Sequence, residues 1–220
     1  MRVVELFKET MKGKSIGRIL FNWEVRKHCS NLRGVMIDLA CGSDKPSYYR
    51  FWSINPSKLI RVDSDEKARP DIVANLDESL PFKDDFADNV FLFNAIYILK
   101  KPENLVKEVF RILKDGGVFY FSSPFIFNES PEPHDYWRFT SEKLREFLED
   151  AGFREIKIVP LGERFSAASY LIAPFLPRLL RFPLYILSLF LDKTLSKRKS
   201  DHPCPISYFC IAKKQGGHFE

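Results

Sequence analysis

Apolar residues in this chain fall into short runs that alternate with segments where they recur every third or fourth position. Near-continuous apolar runs are typical of central β-strands that are covered on both faces. Seven segments are predicted as strands: residues 35–39, 59–63, 71–74, 90–94, 118–122, 153–160 and 207–213. The last of them alternates apolar and polar positions more than the others do.

Helical spacing separates several of these predicted strands. Residues 102–116 carry one apolar stripe, begin at a proline suited to a first turn and end at a Gly-Gly pair. A second helix is predicted from the N-cap Thr140 to the stop signal Gly152, and the first 33 residues are also predicted to be helical. Because strands and helices alternate, the sequence predicts a doubly wound α/β sheet.

A long apolar segment precedes the last predicted strand. Residues 169–193 contain three prolines and two arginines, so they offer no uncharged stretch long enough to cross a bilayer. Two interpretations remain, which are compatible: a helical lid packed on the sheet, or an amphipathic element in a membrane interface. The second is favoured by basic residues around the apolar runs, namely Arg178, Arg181, Lys193, Lys197, Arg198 and Lys199.

Composition narrows the class of protein. The 220 residues suffice for one domain with a substantial core, and 45% hydrophobic residues exclude a disordered chain. A net charge of +5 with both signs interspersed does not indicate a nucleic-acid partner. His202, Cys204 and Cys210 have no fourth ligand nearby, so no metal is expected. Few cysteines and an N-terminus without an apolar leader predict a reducing, cytoplasmic setting.

Two acidic residues and one glycine mark the candidate site. The first strand contains Asp38 and leads to Gly42, a residue type that lets backbone N–H groups approach a ligand. The second strand ends in Asp63, about 20 residues further on, where a carboxylate can accept hydrogen bonds from ribose hydroxyls. The further glycines that cradle a pyrophosphate are missing, which disfavours a nicotinamide dehydrogenase. The expected ligand is a nucleoside without phosphates.

Four segments within about residues 35–125 follow the order and spacing of one enzyme family. They are VMIDLACGS, IRVD, ANLDESLPFKDDFADNVFLFN and ENLVKEVFRILKDGGVFYFSSPF. This pattern resembles the class I S-adenosylmethionine-dependent methyltransferases. A later segment, EPHDYWRFTSEKLREFLEDAGF, resembles a subgroup of small microbial methyltransferases that is associated with cell-surface glycan or lipid pathways.

The resemblance implies a fold, a cofactor and a set of binding residues. The fold is a Rossmann-like sheet of six parallel strands and an antiparallel last strand, with an N-terminal helical extension and a helical insertion. The cofactor is S-adenosyl-L-methionine, with implied contacts from Asp38, Ala40, Cys41, Gly42, Asp63, Ser64, Asn75, Leu76 and Asn94. Asp38 would orient the methionine ammonium, Asp63 the ribose and Asn75 the adenine. Ala40 and Asp44 stand where the family commonly has glycine.

The segment after the fifth strand supplies candidate catalytic residues. His134 could take a proton from a hydroxyl or ammonium acceptor, with Asp135 or Tyr136 orienting it. Trp137 and Arg138 are candidate substrate-binding residues, the arginine for a phosphate or carboxylate. Alternatively, the aromatic residues of this segment pack beneath the insertion while Asp135 pairs with Arg138.

The main functional hypothesis is a methyltransferase for a small-molecule, lipid-linked or glycan-linked acceptor. The alternative is a non-catalytic module at a membrane surface that binds S-adenosylmethionine or S-adenosylhomocysteine, which the single glycine of the first motif favours. A cytoplasmic protein is predicted, with peripheral attachment to the inner membrane face as an extension of that hypothesis. One domain is expected, divided into an extension (1–33), a cofactor-binding core (34–160), an insertion (161–205) and the last strand (206–214).

Overall fold

Seven strands form one mixed sheet in the computed structural model, which describes residues 3–42, 46, 48–131, 133–196 and 202–215. The strands are β1 (Ser30–Leu39), β2 (Ser53–Asp63), β3 (Ile72–Val73), β4 (Ala87–Phe93), β5 (Leu113–Pro124), β6 (Glu155–Leu161) and β7 (Ser207–Lys213). Their order is β3-β2-β1-β4-β5-β7-β6, and only β7 runs antiparallel to its neighbours. The predicted doubly wound, Rossmann-like sheet is therefore confirmed.

Helices flank this sheet on both sides. In the described part of the chain they are α1 (Val3–Met11), α2 (Ile16–His28), α3 (Pro102–Ile112), α4 (Ser141–Ala151), α5 (Arg164–Ile172) and α6 (Arg178–Leu191). The predicted caps of α4 are present: the Thr140 hydroxyl accepts a hydrogen bond from the Lys143 N–H, and Gly152 adopts a φ of +110°. The N-terminal helices and the helical insertion are also present.

Two element boundaries differ from the sequence prediction. β1 begins at Ser30, inside the region predicted to be helical, because α2 ends before Cys29 and pairing with β2 starts at the next residue. α3 ends at Ile112 instead of continuing to Gly116, because the chain is already extended in β5. Gly116 has a φ of +77°, and its N–H donates to the Lys214 carbonyl beside the end of β7 over 2.8 Å.

The sheet is held between two apolar layers. Leu92 of β4 belongs to the layer that α3 and α4 cover, through residues such as Val109 and Leu148. Phe91, the preceding residue, belongs to the opposite layer, together with Phe21 of α2. Because burial of one large apolar side chain stabilises a fold by about 1.5–3 kcal/mol, these layers fix the position of the central strands.

The helical insertion packs on the N-terminal helices. Leu6 of α1, Ile19 of α2 and Tyr185 of α6 are buried in a third apolar cluster. Among the described residues, no helix combines the length and apolarity that a membrane span requires. The predicted basic residues Lys197, Arg198 and Lys199 lie outside the described residues, as does Asp44.

The topology identifies one edge of the sheet as the place for a site. β1 lies between β2 and β4, so the chain turns from β1 toward one edge and later continues on the other side of β1. Ligands of open α/β sheets bind at the carboxyl ends of the strands beside such a reversal. Leu39, Asp63 and Phe93, the last residues of β1, β2 and β4, lie at this edge.

Candidate functional site

A cavity of about 1010 Å³, here called the switch-point pocket, opens at the carboxyl ends of the central strands. Most residues predicted from the sequence to bind the cofactor line it: Ala40, Gly42, Asp63, Ser64, Asn75, Leu76 and Asn94. His134 also lines it. Asp38, Cys41, Asp135, Tyr136, Trp137 and Arg138 are not among its lining residues.

Asp63 connects the two loops that form one wall of the pocket. Its carboxylate accepts hydrogen bonds from the Gly42 N–H at 2.7 Å and from the Asp65 N–H at 3.0 Å. Gly42 has a φ of +69° and Ala40 a φ of +51°. A left-handed conformation costs an alanine about 1–2 kcal/mol that glycine avoids. The turn after β1 is thus tied to the end of β2, and Ala40 holds a backbone conformation typical of the glycine it replaces.

Asp38 lies beneath this turn, fully buried. Its carboxylate accepts hydrogen bonds from the hydroxyl of Tyr48, at 2.8 and 3.0 Å, and from that of Tyr49, at 2.7 Å. Burial raises the pKa of Asp38 to about 7, although both tyrosine hydroxyls favour the charged form. In this conformation the two tyrosines occupy the carboxylate, and the predicted contact with a methionine ammonium stays a prediction. Cys41 is buried as well.

The turn after β3 forms the opposite wall. The Asn75 side-chain oxygen accepts a hydrogen bond from the Asp77 N–H at 3.1 Å, and its amide donates to Glu78 at 2.9 Å. The Asp77 carboxylate in turn accepts the N–H groups of Lys100 and Lys101. Leu76 is buried between these polar groups and lines the pocket. This wall therefore presents an apolar side chain beside polar groups that hydrogen-bond to one another, and the predicted adenine contact of Asn75 and Leu76 stays a prediction.

Asn94 lines the pocket directly after β4. It has a φ of +53°, and its N–H donates to the Ser122 hydroxyl at 2.9 Å. The same hydroxyl donates to the Asn94 side-chain oxygen at 3.1 Å. Because Ser122 belongs to β5, these bonds hold Asn94 against the neighbouring strand. Its side chain also lines a second cavity.

This second cavity, here called the side cavity, measures about 290 Å³. Arg18 and Phe21 of α2, Tyr97, Phe127 and Tyr170 of α5 are among the residues that line it. Arg18 is its only charged lining residue in the part of the chain that the structure describes, and burial lowers the pKa of Arg18. The cavity combines aromatic walls with one cation.

The side cavity is not predictable from the sequence. Its lining residues come from separated regions of the chain and match no motif. Two features of the sequence bear on it. Arg18 and Phe21 stand three positions apart and so share a helix face. Tyr97 stands three positions after the predicted site residue Asn94. Neither feature specifies a cavity without the fold.

The segment after β5 lies along the rim of the switch-point pocket. His134 is exposed there, and its ring stacks on Tyr136 with a centroid distance of 5.2 Å. The Asp135 carboxylate accepts hydrogen bonds from Arg138, at 2.5 and 2.8 Å, and from the Ser130 N–H. This pairing with Arg138 lowers the pKa of Asp135. Asp135 therefore contacts Arg138, as in the alternative derived from the sequence.

Trp137 and Arg138 face a different groove, which Lys143 of α4 also lines. The Trp137 indole N–H donates to the Leu99 carbonyl at 2.8 Å. The Arg138 guanidinium lies 5.5 Å from the centroid of Tyr97, a residue shared by both cavities. Trp137 and Arg138 thus contact Leu99 and Tyr97, two residues that line the switch-point pocket. Their predicted contact with substrate stays a prediction.

Residues 37–121 match a family model described as a methyltransferase domain. This segment contains the turn after β1, Asp63, Asn75, Leu76 and Asn94. No curated protein matches the chain.

Solved methyltransferase structures share the fold. A putative methyltransferase from Haloferax volcanii, solved in complex with the activator Trm112, is 19% identical, with a TM-score of 0.62 over 90% of this chain and 92% of that one. A SAM-dependent methyltransferase from Archaeoglobus fulgidus is 18% identical, with a TM-score of 0.56 over 90% and 94%. Phosphoethanolamine N-methyltransferase 2 from Haemonchus contortus, in complex with S-adenosyl-L-methionine, is 16% identical, with a TM-score of 0.58 over 89% and 52%. The chain has the class I methyltransferase fold.

Proposed function

We propose that this chain, which has the class I methyltransferase fold, is an S-adenosylmethionine-dependent methyltransferase. One observation carries the proposal: the switch-point pocket and the side cavity meet at Asn94. A methyltransferase needs this arrangement, since the methyl group must pass from a cofactor in one cavity to an acceptor in the next. The Haemonchus enzyme with the same fold was solved with that cofactor.

In the proposed complex, each wall of the switch-point pocket binds one part of the cofactor. Asp63 accepts hydrogen bonds from the ribose hydroxyls while it keeps Gly42 in place. Asn75 and Leu76 bind the adenine, and Asn94 lies beneath the transferable methyl group. The turn at Ala40 and Gly42 borders the methionine portion. Ser64, which follows Asp63 in the chain and also lines the pocket, adds a hydroxyl beside the ribose position.

When bound, the cofactor supplies a methyl group that its sulfonium has already activated. The protein then has to align the acceptor atom with that methyl group and exclude water, because alignment provides most of the rate enhancement in such a transfer. His134, at the rim of the pocket, is the candidate base for an acceptor that must lose a proton. Tyr136 stacks on the His134 ring and would orient it.

We propose the side cavity as the binding site for the reacting part of a small-molecule, lipid-linked or glycan-linked acceptor. Phe21, Tyr97, Phe127 and Tyr170 provide apolar surface, which favours an acceptor with an apolar or aromatic portion. The guanidinium of Arg18 favours an acidic group on that acceptor. Neutral polar acceptors would gain little from this lining.

Binding of S-adenosylhomocysteine, measured by titration calorimetry, tests the cofactor site. Asp63→Asn should weaken binding about tenfold or more, because charge-assisted hydrogen bonds contribute about 1.5–3 kcal/mol each. Asp71→Asn is the matched control, since Asp71 pairs with Arg61 away from the pocket. Equal affinity of both variants and the unmodified protein would contradict the assignment.

A second candidate function is a module that binds the cofactor without transferring its methyl group. The Asp38 carboxylate already accepts hydrogen bonds from the hydroxyls of Tyr48 and Tyr49, so in this conformation it does not hold the methionine ammonium. This observation favours the alternative. Incubation with S-adenosylmethionine and separate pools of small metabolites, lipids and glycans distinguishes the two functions. A methyltransferase releases S-adenosylhomocysteine with one pool, whereas a binding module releases none while calorimetry still detects the cofactor.

A further inference from the structure

Helix α6 is apolar on the side that faces away from the protein. Tyr185 on its inner side is fully buried. Leu179, Leu187 and Phe190 are more than half exposed, and their spacing of eight and three residues places them on one outer stripe. A helix on the surface of a soluble protein normally has a polar outer face, and one that is apolar all round is normally covered.

The exposed apolar surface continues beyond α6. Its members are Leu171, Ile172, Phe175, Leu179, Leu180, Leu187 and Phe190, here called the insertion face. Phe175, in the turn between α5 and α6, is 87% exposed, the highest value among the exposed large apolar residues of the described chain. Single exposed apolar residues are ordinary on protein surfaces, but a cluster of this kind indicates an interaction site.

The segment that carries the insertion face has charged residues of one sign between its two ends. Between Glu163 and Asp192 the sequence contains no acidic residue. Arg178 and Arg181 lie within α6, and Lys193 follows it. The guanidinium of Arg178 donates to the Met11 carbonyl and that of Arg181 to the Leu176 carbonyl, so both arginines flank the exposed apolar stripe. Asp192 is buried and accepts hydrogen bonds from backbone N–H groups at the start of α5, so it does not oppose this positive charge at the surface.

We propose that the insertion face binds the interface of a membrane that contains anionic lipid. The exposed leucines and phenylalanines would enter the boundary between headgroups and acyl chains, while exposed Lys193 would contact lipid phosphates. Arg178 and Arg181, beside the apolar stripe, would add positive potential that attracts anionic headgroups. The 14 residues of α6 cover about 21 Å, less than the hydrocarbon core of about 30 Å, so the helix lies along the surface.

Charge favours lipid over a second copy of the chain as the occupant. Two copies that met through this face would bring together two sets of arginine and lysine with no acidic residue from the same segment. Like charges in an interface oppose association. An anionic lipid surface instead supplies the opposite charge and an apolar interior.

The insertion face lies close to the side cavity. Tyr170, which lines that cavity, immediately precedes Leu171 and Ile172 in α5, and its ring stacks on Phe127 at 6.2 Å. Membrane docking would therefore hold the side cavity near the bilayer surface. This consequence, a lipid-linked acceptor, rests on the proposed function, whereas membrane binding itself does not.

Vesicle co-sedimentation of the full chain tests the proposal without any measure of activity. The protein should sediment with phosphatidylcholine vesicles that contain phosphatidylglycerol, bind pure phosphatidylcholine much more weakly, and dissociate as salt rises. The double variant Phe175→Ser/Leu179→Ser should lose about tenfold or more in vesicle affinity, because it removes apolar surface that would enter the bilayer. Both side chains are largely exposed, so its melting temperature should match that of the unmodified protein.

A charge variant measures the electrostatic contribution to vesicle binding separately. Arg178→Gln/Lys193→Gln removes two positive charges and should weaken binding to the anionic vesicles about thirtyfold, at about 1 kcal/mol per basic residue. Lys83→Gln, an exposed lysine before β4, is the control and should bind like the unmodified protein. Failure to bind anionic vesicles at low salt would overturn the proposal. So would a dimer in solution that Phe175→Ser/Leu179→Ser dissociates. S-adenosylhomocysteine binding, measured in parallel, separates this failure from a failure of the proposed function.

Discussion

At the scale of single residues, Asp38 is the side chain whose environment differs most from the one its motif implies. The sequence places it at the end of a buried strand next to Gly42, where a ligand contact is expected. Complete burial beneath Tyr48 and Tyr49 could not be predicted, because no periodicity in the sequence relates these tyrosines to β1. Two neutral hydroxyls compensate part of the cost of burying the charge.

The protonation of Asp38 predicts a pH dependence of stability. Its pKa is raised to about 7 in the folded protein, whereas an unfolded aspartate titrates near 4. The folded state therefore binds more protons between these values. The contribution of Asp38 to stability is greatest below about pH 4 and is lost as the pH rises through about 7.

Urea unfolding of the unmodified protein and of Asp38→Asn at several pH values tests the predicted pH dependence of stability. From pH 5 to pH 8 the free energy of unfolding of the unmodified protein should fall by about 2.5 kcal/mol relative to that of the variant. The comparison cancels the titration of histidines common to both proteins. Parallel pH profiles would show that Asp38 is ionised throughout this range.

At the scale of elements, the apolar runs predicted every strand, and the alternation of strands and helices predicted the fold class. Boundaries were less predictable. β1 and β2 extend several residues before their apolar runs because pairing continues into polar sequence. The Gly-Gly pair predicted to stop α3 instead lies within β5, where Gly116 and Gly117 exchange backbone hydrogen bonds with Lys214 beside β7.

Gly34 is a position in β1 where the backbone conformation and the close approach of Asp88 both require glycine. It lies in β1 at a φ of +89°, next to a break in register with β2. A Cβ atom there would lie 2.3 Å from a carboxylate oxygen of Asp88. The same carboxylate accepts hydrogen bonds from the Val35 N–H at 2.7 Å and from Lys114 at 2.8 Å.

Gly34→Ala should lower the free energy of unfolding by about 2 kcal/mol or more, because it combines backbone strain with the displacement of Asp88. Gly116→Ala is the matched control: Gly116 also has a positive φ, of +77°, but a Cβ atom there meets nothing within 4 Å. The free energy of unfolding of the Gly116→Ala variant should fall by about 1 kcal/mol from backbone strain alone. Chemical denaturation measures both, and equal losses would rule out the steric contribution of Asp88.

At the scale of the whole molecule, the two halves of the candidate site differ in how far the sequence predicts them. The switch-point pocket is built from strand ends, and its polar residues follow recognisable apolar runs. The side cavity brings Arg18, Tyr97 and Tyr170 together from three separate regions, and each alone is an ordinary helix or loop residue. Only the packing of α2 and α5 beside β4 creates that cavity.

The connection between β6 and β7 has a consequence for how this fold can diversify. The two strands pair directly, and the Ile206 N–H donates to the Leu161 carbonyl at 2.9 Å, so the entire insertion leaves and returns at one point of the sheet. Substituting a different excursion at that point would leave the register of all seven strands intact. A replacement of the insertion can therefore change which molecules this side of the protein contacts without rearranging the sheet.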